Sequence, residues 1–266
     1  MMRGVSMKIK IVFLSVLTFF ITLLISQIDA QASQDLQKVD VEKIIGANDL
    51  IAVNAEASNI PFKFKNLVNA FGRVAVGCTA THLGKGYVLT AGHCFYAPPT
   101  AIKDQPCSSE YDVQWGIREG QQPYLTSKCT RLIIAQRNNK TDYALFKVDP
   151  IPDVAVRPDL SEKPEVGDRI TIFSHPDELP LRWSKICRVK RLYSTSKPVD
   201  SLFYYCDTNP GSSGASVIDV NSLKVIGVHD GGQILNVTDN DLGVGFNYGT
   251  YIYETPLLEI MKKLDL

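Results

Sequence analysis

Three short stretches hold the side chains that nucleophilic hydrolysis of an amide requires. LTAGHC (Leu89 to Cys94) supplies an imidazole, His93, where Ala91 and Gly92 permit a sharp turn and Cys94 can pin the loop behind it. TDYALFKV supplies a carboxylate, Asp142, directly before an apolar strand that draws it inward, and NPGSSGASV (Asn209 to Val217) supplies serines between glycines. A hydroxyl that passes its proton to a neutral imidazole, itself held by a buried carboxylate, attacks a carbonyl carbon, and backbone N–H groups receive the oxyanion. Each stretch alone also reads as ordinary structure: a histidine beside a cysteine, an aspartate at a strand start, a Gly/Ser loop. Their joint occurrence in the order His, Asp, Ser gives the chemistry its weight.

The elements that must position these residues are β-type. After Phe71 the chain is a succession of short runs bounded by Gly, Pro, Asn and Asp: RVAVGCTATHL, GYVLTA, DVQWGI, TRLIIAQR, YALFKV, RITIFS, SKICRVKRLY, SLFYYC, ASVIDV, KVIGVHD and GVGFNYGTYIY. That spacing indicates an all-β sandwich or barrel rather than alternating α/β units. TPLLEIMKKL (Thr255 to Leu264) has a proline near its start and apolar residues at helical intervals, so a C-terminal helix is expected. The Pro-containing stretch from Asp149 to Asp168 interrupts the strands and marks a linker between two halves.

The 266 residues are enough for a sizeable core, and 28 basic against 28 acidic residues leave a formal net charge of zero. No basic stripe points to nucleic acid or an anionic membrane. At the N-terminus, Arg3, Lys8 and Lys10 precede the apolar run Ile11 to Ile25, and Ala30-Gln31-Ala32 follows, which reads as a secretory leader over residues 1–32. The apolar run is shorter than the roughly 20 residues of a membrane-spanning helix. Residues 33–60 are polar and acidic and read either as a pro-segment, making the chain a zymogen, or as an arm that stays attached. The remaining 61–266 form the main domain, divided at about residue 155.

A secreted or periplasmic chain with an even number of cysteines, Cys78, Cys94, Cys107, Cys129, Cys187 and Cys206, is read as carrying three disulfides. Local order favours Cys78–Cys94, Cys107–Cys129 and Cys187–Cys206 among the fifteen pairings possible for six cysteines. No C-x-x-C pair is present and the four histidines are scattered, so neither a metal site nor a cofactor is expected.

LTAGHC, DYAL and GSSGAS resemble the three signature blocks of the chymotrypsin-like serine endopeptidases, and the resemblance covers roughly Ala70 to the C-terminus. It implies two six-stranded antiparallel β-barrels with a cleft between them, His93 and Asp142 on the first and Ser213 on the second. It also implies a monomer acting on polypeptides, with no nucleic-acid or membrane partner once the leader is removed. The G-x-S-G pattern makes Ser213 the nucleophile and the backbone N–H groups of Gly211 and Ser213 the oxyanion hole, with Ser212 and Ser216 as neighbours.

One departure stands out. Where the trypsin branch has an aspartate before the nucleophile, this chain has Ser212, so activation through a freshly cut N-terminus is not expected. The wording, with VIGVHDGG, is similar to the secreted bacterial branch that includes glutamyl endopeptidases. In that branch the positions of Thr208 and His229 bind a substrate glutamate, which implies cleavage after Glu and less readily Asp. Asp230 beside His229 opens the alternative of Lys or Arg. Gly231 and Gly232 leave backbone room for an extended substrate. A catalytically silent binding protein on the same fold is the other reading. A secreted esterase would need G-x-S-x-G and the order Ser, Asp, His, neither of which occurs.

Overall fold

The computed structural model describes residues 43–191, 201–234, 245–253 and 255–266. The apolar N-terminal run and the first part of the acidic segment lie outside the described residues.

Among the described residues the chain forms fourteen strands and two α-helices. The first barrel is made of β2 (Phe71–Val74), β3 (Thr79–Gly84), β4 (Tyr87–Thr90), β6 (Val113–Trp115), β7 (Leu125–Arg137) and β8 (Asp142–Asp149). Its strands pair antiparallel in the order β6-β2-β3-β4-β8-β7, and β7 closes the ring by pairing with both β8 and β6; β5 (Ile102–Pro106) adds to the outer edge of β7. The second barrel takes β9 (Arg169–Ser174), β10 (Arg182–Lys190), β11 (Leu202–Tyr204), β12 (Ser216–Asp219), β13 (Val225–Ile234) and β14 (Gly245–Tyr251). The order β10-β11-β14-β13-β12-β9 closes through β9–β10. Full closure satisfies every strand edge within each ring, which an open sheet of this size would not.

Residues 150–168 run between the two rings without a strand. The short α1 (Phe62–Lys65) precedes the first barrel, and α2 (Leu257–Lys263) ends the chain with Leu257 and Met261 buried. The run from Arg73 to Leu83, expected as one strand, is two. Gly77, at φ +91°, turns the chain between β2 and β3, a backbone conformation that glycine adopts without steric cost.

Residues 43–60 are built into the second barrel and the seam rather than lying loosely on the surface. β1 (Ile51–Ala52) pairs with Trp183 and Arg182 of β10, and Val53 is fully buried. The seam itself is aromatic: Phe71 of β2 stacks on Phe173 of β9 at 5.0 Å, with Phe64 of α1 and Trp183 of β10 against the same ring. A cluster of this kind fixes the barrels against each other, and each aromatic pair adds about 0.5–1.5 kcal/mol beyond area burial.

Candidate active site

His93 begins a single 3-10 turn, His93–Phe95, just after β4, and Asp142 is the first residue of β8, which pairs with β4. The pairing therefore brings the two side by side. Asp142 accepts two hydrogen bonds from one residue: His93 N donates to Oδ1 at 2.8 Å and Nδ1 lies 2.8 Å from Oδ2. Because an ionised carboxylate only accepts, Nδ1 carries the proton and Nε2 is the basic nitrogen. Asp142 is 4% exposed. Burial alone would raise its carboxyl above the usual range, but the His93 hydrogen bonds, with Arg137 Nε 3.8 Å from Oδ2, outweigh it and hold the carboxyl below.

Ser213 lies on the loop before β12. Two residues earlier, Asn209-Pro210-Gly211-Ser212 forms a turn closed by Ser212 N donating to Asn209 O at 2.9 Å, with Gly211 at φ +97°. Proline second and a positive-φ glycine third are the requirements of a type II turn. Pro210 O accepts from Asp177 N at 2.5 Å. Since the C=O and N–H of a trans peptide point in opposite directions, that bond turns the Gly211 N–H to the other side of the loop.

Thr79 clamps the same loop to the first barrel. Its hydroxyl donates to Gly211 O at 2.7 Å and accepts from His175 N at 2.9 Å, while its backbone N donates to Ser213 O at 2.9 Å. Ser213 O also lies 4.0 Å from Cys94 Sγ, and the Cys78–Cys94 disulfide ties the start of β3 to the His93 turn. The remaining cysteines pair as Cys107–Cys129 and Cys187–Cys206. A Cβ on Gly214 would fall 2.4 Å from Thr79 O and 2.8 Å from Ala91 N, so the second glycine of the G-x-S-G pattern is needed for this close approach. Ser212 is buried and donates to Ser174 Oγ at 3.0 Å; Ser216 is buried in β12.

The residues read as substrate contacts lie on β13 and just upstream of the Ser213 loop. Thr208 is fully buried, and among the described residues its hydroxyl has no hydrogen-bond partner. His229 is also fully buried, its Nδ1 2.6 Å from the Tyr204 hydroxyl, and its backbone N donates to Ala215 O. β12 pairs with β13 as far as Ser216↔Val228, His229 bonds on that side through its backbone to Gly214 and Ala215, and Gly231 and Gly232 pair with Tyr248 and Asn247 of β14. Asp230 points elsewhere: its Oδ2 accepts from Thr250 Oγ1 at 2.7 Å, and Thr250 Oγ1 accepts from Asp142 N at 2.8 Å.

Several contributors carry no local signal in the sequence. Thr79, His175, Asp177 and Thr250 act on partners far along the chain. Lys43 belongs with them, its carbonyl accepting from Thr208 N at 3.1 Å and from Asn247 Nδ2 at 2.8 Å. The other two histidines are buried. His82 donates Nδ1 to Val154 O and accepts Gly86 N at Nε2, and burial lowers its pKa below the usual value. His175, fully buried with Nδ1 on Leu179 O, is lowered by burial to about 4.

The trypsin-like peptidase domain family matches residues 78–228, a span that contains the His93, Asp142 and Ser213 blocks. No curated protein matches the chain in sequence. Among solved structures, a Glu endopeptidase in complex with MPD aligns with a TM-score of 0.55 at 17% identity, over 84% of this chain and 99% of that one. The HtrA-type protease AlgW with tripeptide aligns at 0.47 and 16% identity, over 76% of this chain and 62% of that one. The likeness to the Glu endopeptidase supports the two-barrel architecture, and the sequence-family match over more than half the chain decides its membership: the chain belongs to the family of trypsin-like peptidase domains and is a serine endopeptidase.

Proposed function

We propose that this chain is an exported endopeptidase that cuts polypeptides through Ser213, His93 and Asp142, preferring Glu, and less readily Asp, before the cut. The observation that carries the reading is the two-point hydrogen bond of His93 to buried Asp142, with the Ser213 loop clamped to β3 by Thr79 and the start of β3 tied to the His93 turn by the Cys78–Cys94 disulfide. His93 Nε2 takes the Ser213 proton as Oγ bonds to the substrate carbonyl carbon, and Asp142 stabilises the imidazolium that forms. The oxyanion accepts from the N–H groups of Gly211 and Ser213. Collapse breaks the C–N bond as His93 returns the proton to the leaving amine, and water then hydrolyses the acyl-enzyme by the same steps.

The acidic preference rests on Thr208 and His229. A buried hydroxyl without a protein partner is what a pocket for a carboxylate would present, since leaving it unmet costs free energy. With His229 Nδ1 engaged by Tyr204, Nε2 is the nitrogen for the substrate. An imidazolium there would add a charge-assisted hydrogen bond. A Lys or Arg preference would need Asp230 in the pocket, and the Thr250 bond to its carboxylate weighs against that. The extended substrate would pair with β13 at Gly231 and Gly232. Three disulfides fit an oxidising compartment, and any removable pro-segment would end ahead of Lys43, whose backbone is bonded to Asn247 and Thr208.

The test is mass spectrometry of a mixed peptide library treated in parallel with the protein and with Ser213→Ala. Cuts after Glu made only by the unsubstituted chain support the whole reading. Ser213-dependent cuts after Lys or Arg overturn the pocket assignment, and no Ser213-dependent cut points to a binding protein.

A further inference from the structure

We propose that Asp230 is a positioning residue for hydrolysis: its carboxylate, joined through the Thr250 hydroxyl to the Asp142 backbone, fixes Asp142 and adds a second negative charge behind the His93–Asp142 pair. The proposal rests on the assignment of Ser213, His93 and Asp142 made above. Successive residues of a strand face opposite sides, so a buried His229 turned toward Tyr204 sends Asp230 the other way. The register adds to this. His229 pairs with Gly249 and Gly231 with Tyr248, so Asp230 is the extra residue of a bulge, a device that re-aims side chains beside active sites.

The hydrogen bonds have a fixed sense. Thr250 Oγ1 has one hydrogen, which goes to Asp230 Oδ2, and its lone pair therefore faces the N–H of Asp142. Thr250 is 3% exposed and Asp230 8%, so the chain of bonds is largely shielded from water. Asp142 must present both carboxylate oxygens to His93, at Nδ1 and at the backbone N, and anchoring its own N–H from the second barrel restricts the rotation that would lose one of them. The charge acts in the same direction. His93 becomes an imidazolium during attack, and a carboxylate nearby stabilises that cation. The charged groups opposing it are Arg137, beside Asp142 Oδ2, and Lys140, which lines one recess with Thr250; His229 is the neighbouring titratable group on β13.

Inactivation by phenylmethanesulfonyl fluoride measures the effect without a choice of substrate. Ser213 Oγ displaces fluoride from sulfur while His93 takes the proton, so the inactivation rate against pH reads the protonation of His93. Asp230→Asn keeps the acceptor and removes the charge. It is expected to move the acid limb to lower pH by about half to one unit. Thr250→Val cuts the link and keeps the charge, so its plateau rate is expected to fall about 3- to 10-fold with the limb unmoved, and Thr250→Ser to restore it. An Asp230→Asn limb that superimposes on that of the unsubstituted protein, or a Thr250→Val plateau equal to it, overturns the proposal. Should Asp230→Asn fail to fold, the Thr250 pair still decides the linkage. Failure of the reagent to label Ser213 in the unsubstituted protein is a different result: it overturns the triad itself, and the role of Asp230 with it.

Discussion

Gly211→Ala tests whether the type II turn at Pro210–Gly211 aims the oxyanion donor. At φ +97° a residue with a Cβ is strained by about 1–2 kcal/mol, and that Cβ would stand 2.7 Å from His175 O and 3.0 Å from Asp177 N. Both contacts are backbone atoms of one tight segment, which also holds Pro210 O through Asp177 N, so the neighbour has little room to withdraw. The cheaper relief is rotation of the Pro210–Gly211 peptide to the type I form, with negative φ at 211. That rotation breaks the Asp177 bond and turns the N–H away from the oxyanion. Losing one such donor costs about 2.7–4 kcal/mol of barrier, or roughly 100- to 1,000-fold in kcat with KM little changed. The assay is steady-state cleavage of a peptide found by the library experiment. The control is Gly120→Ala, also at positive φ (+77°) but with nothing within 4 Å of the added Cβ; it should cost stability of about 1 kcal/mol and leave kcat alone. A Gly211→Ala kcat within about 3-fold of the unsubstituted enzyme would refute the assignment of this N–H to the oxyanion.

Asp142→Asn replaces a double acceptor by a group that can accept at only one atom, so either His93 N or Nδ1 loses its partner; kcat should fall about 10⁴-fold while thermal unfolding shifts little. Thr208→Val removes a buried hydroxyl that has no partner among the described residues, and should lower kcat/KM after Glu about 10- to 100-fold without loss of stability, seen by comparing Glu and Gln peptides. His175 predicts a pH effect on stability. Its folded pKa of about 4 lies below the 6.5 of a free imidazole, so the unfolded chain binds the proton first as pH falls. Stability from this group is whole above about pH 6.5 and is lost toward pH 4, by roughly 3 kcal/mol. Urea unfolding at pH 7 and 4.5 should show that loss, with a smaller one in His175→Asn; equal losses in the two proteins would exclude His175 as the source.

What was legible in the sequence is what adjacent residues decide. The β texture, the C-terminal helix and the three chemistry-bearing stretches are each written in a few consecutive positions. β5 was not: IKDQP lies on an edge with four of its five residues exposed, so it has no alternation to read. β1 is two residues held by a partner more than a hundred positions away. The loop proposed to aim the oxyanion donor is likewise set from outside, by Thr79 and Asp177, and nothing in NPGSSGASV announces them.

Asp230 shows where such reading stops for a physical reason. Whether its carboxylate enters the pocket beside His229 or turns from it depends on strand alternation and on a one-residue bulge against β14, neither of which composition encodes. In the folded chain the same residue accepts from Thr250 and takes part in the join between the barrels. Asp142 of the first barrel is anchored by Thr250 of the second, and Gly211 and Ser213 of the second are anchored by Thr79 of the first. Each barrel therefore positions candidate site residues of the other, so the geometry at Ser213 and His93 depends on the docking at the Phe71–Phe173 seam as well as on the turns that carry them.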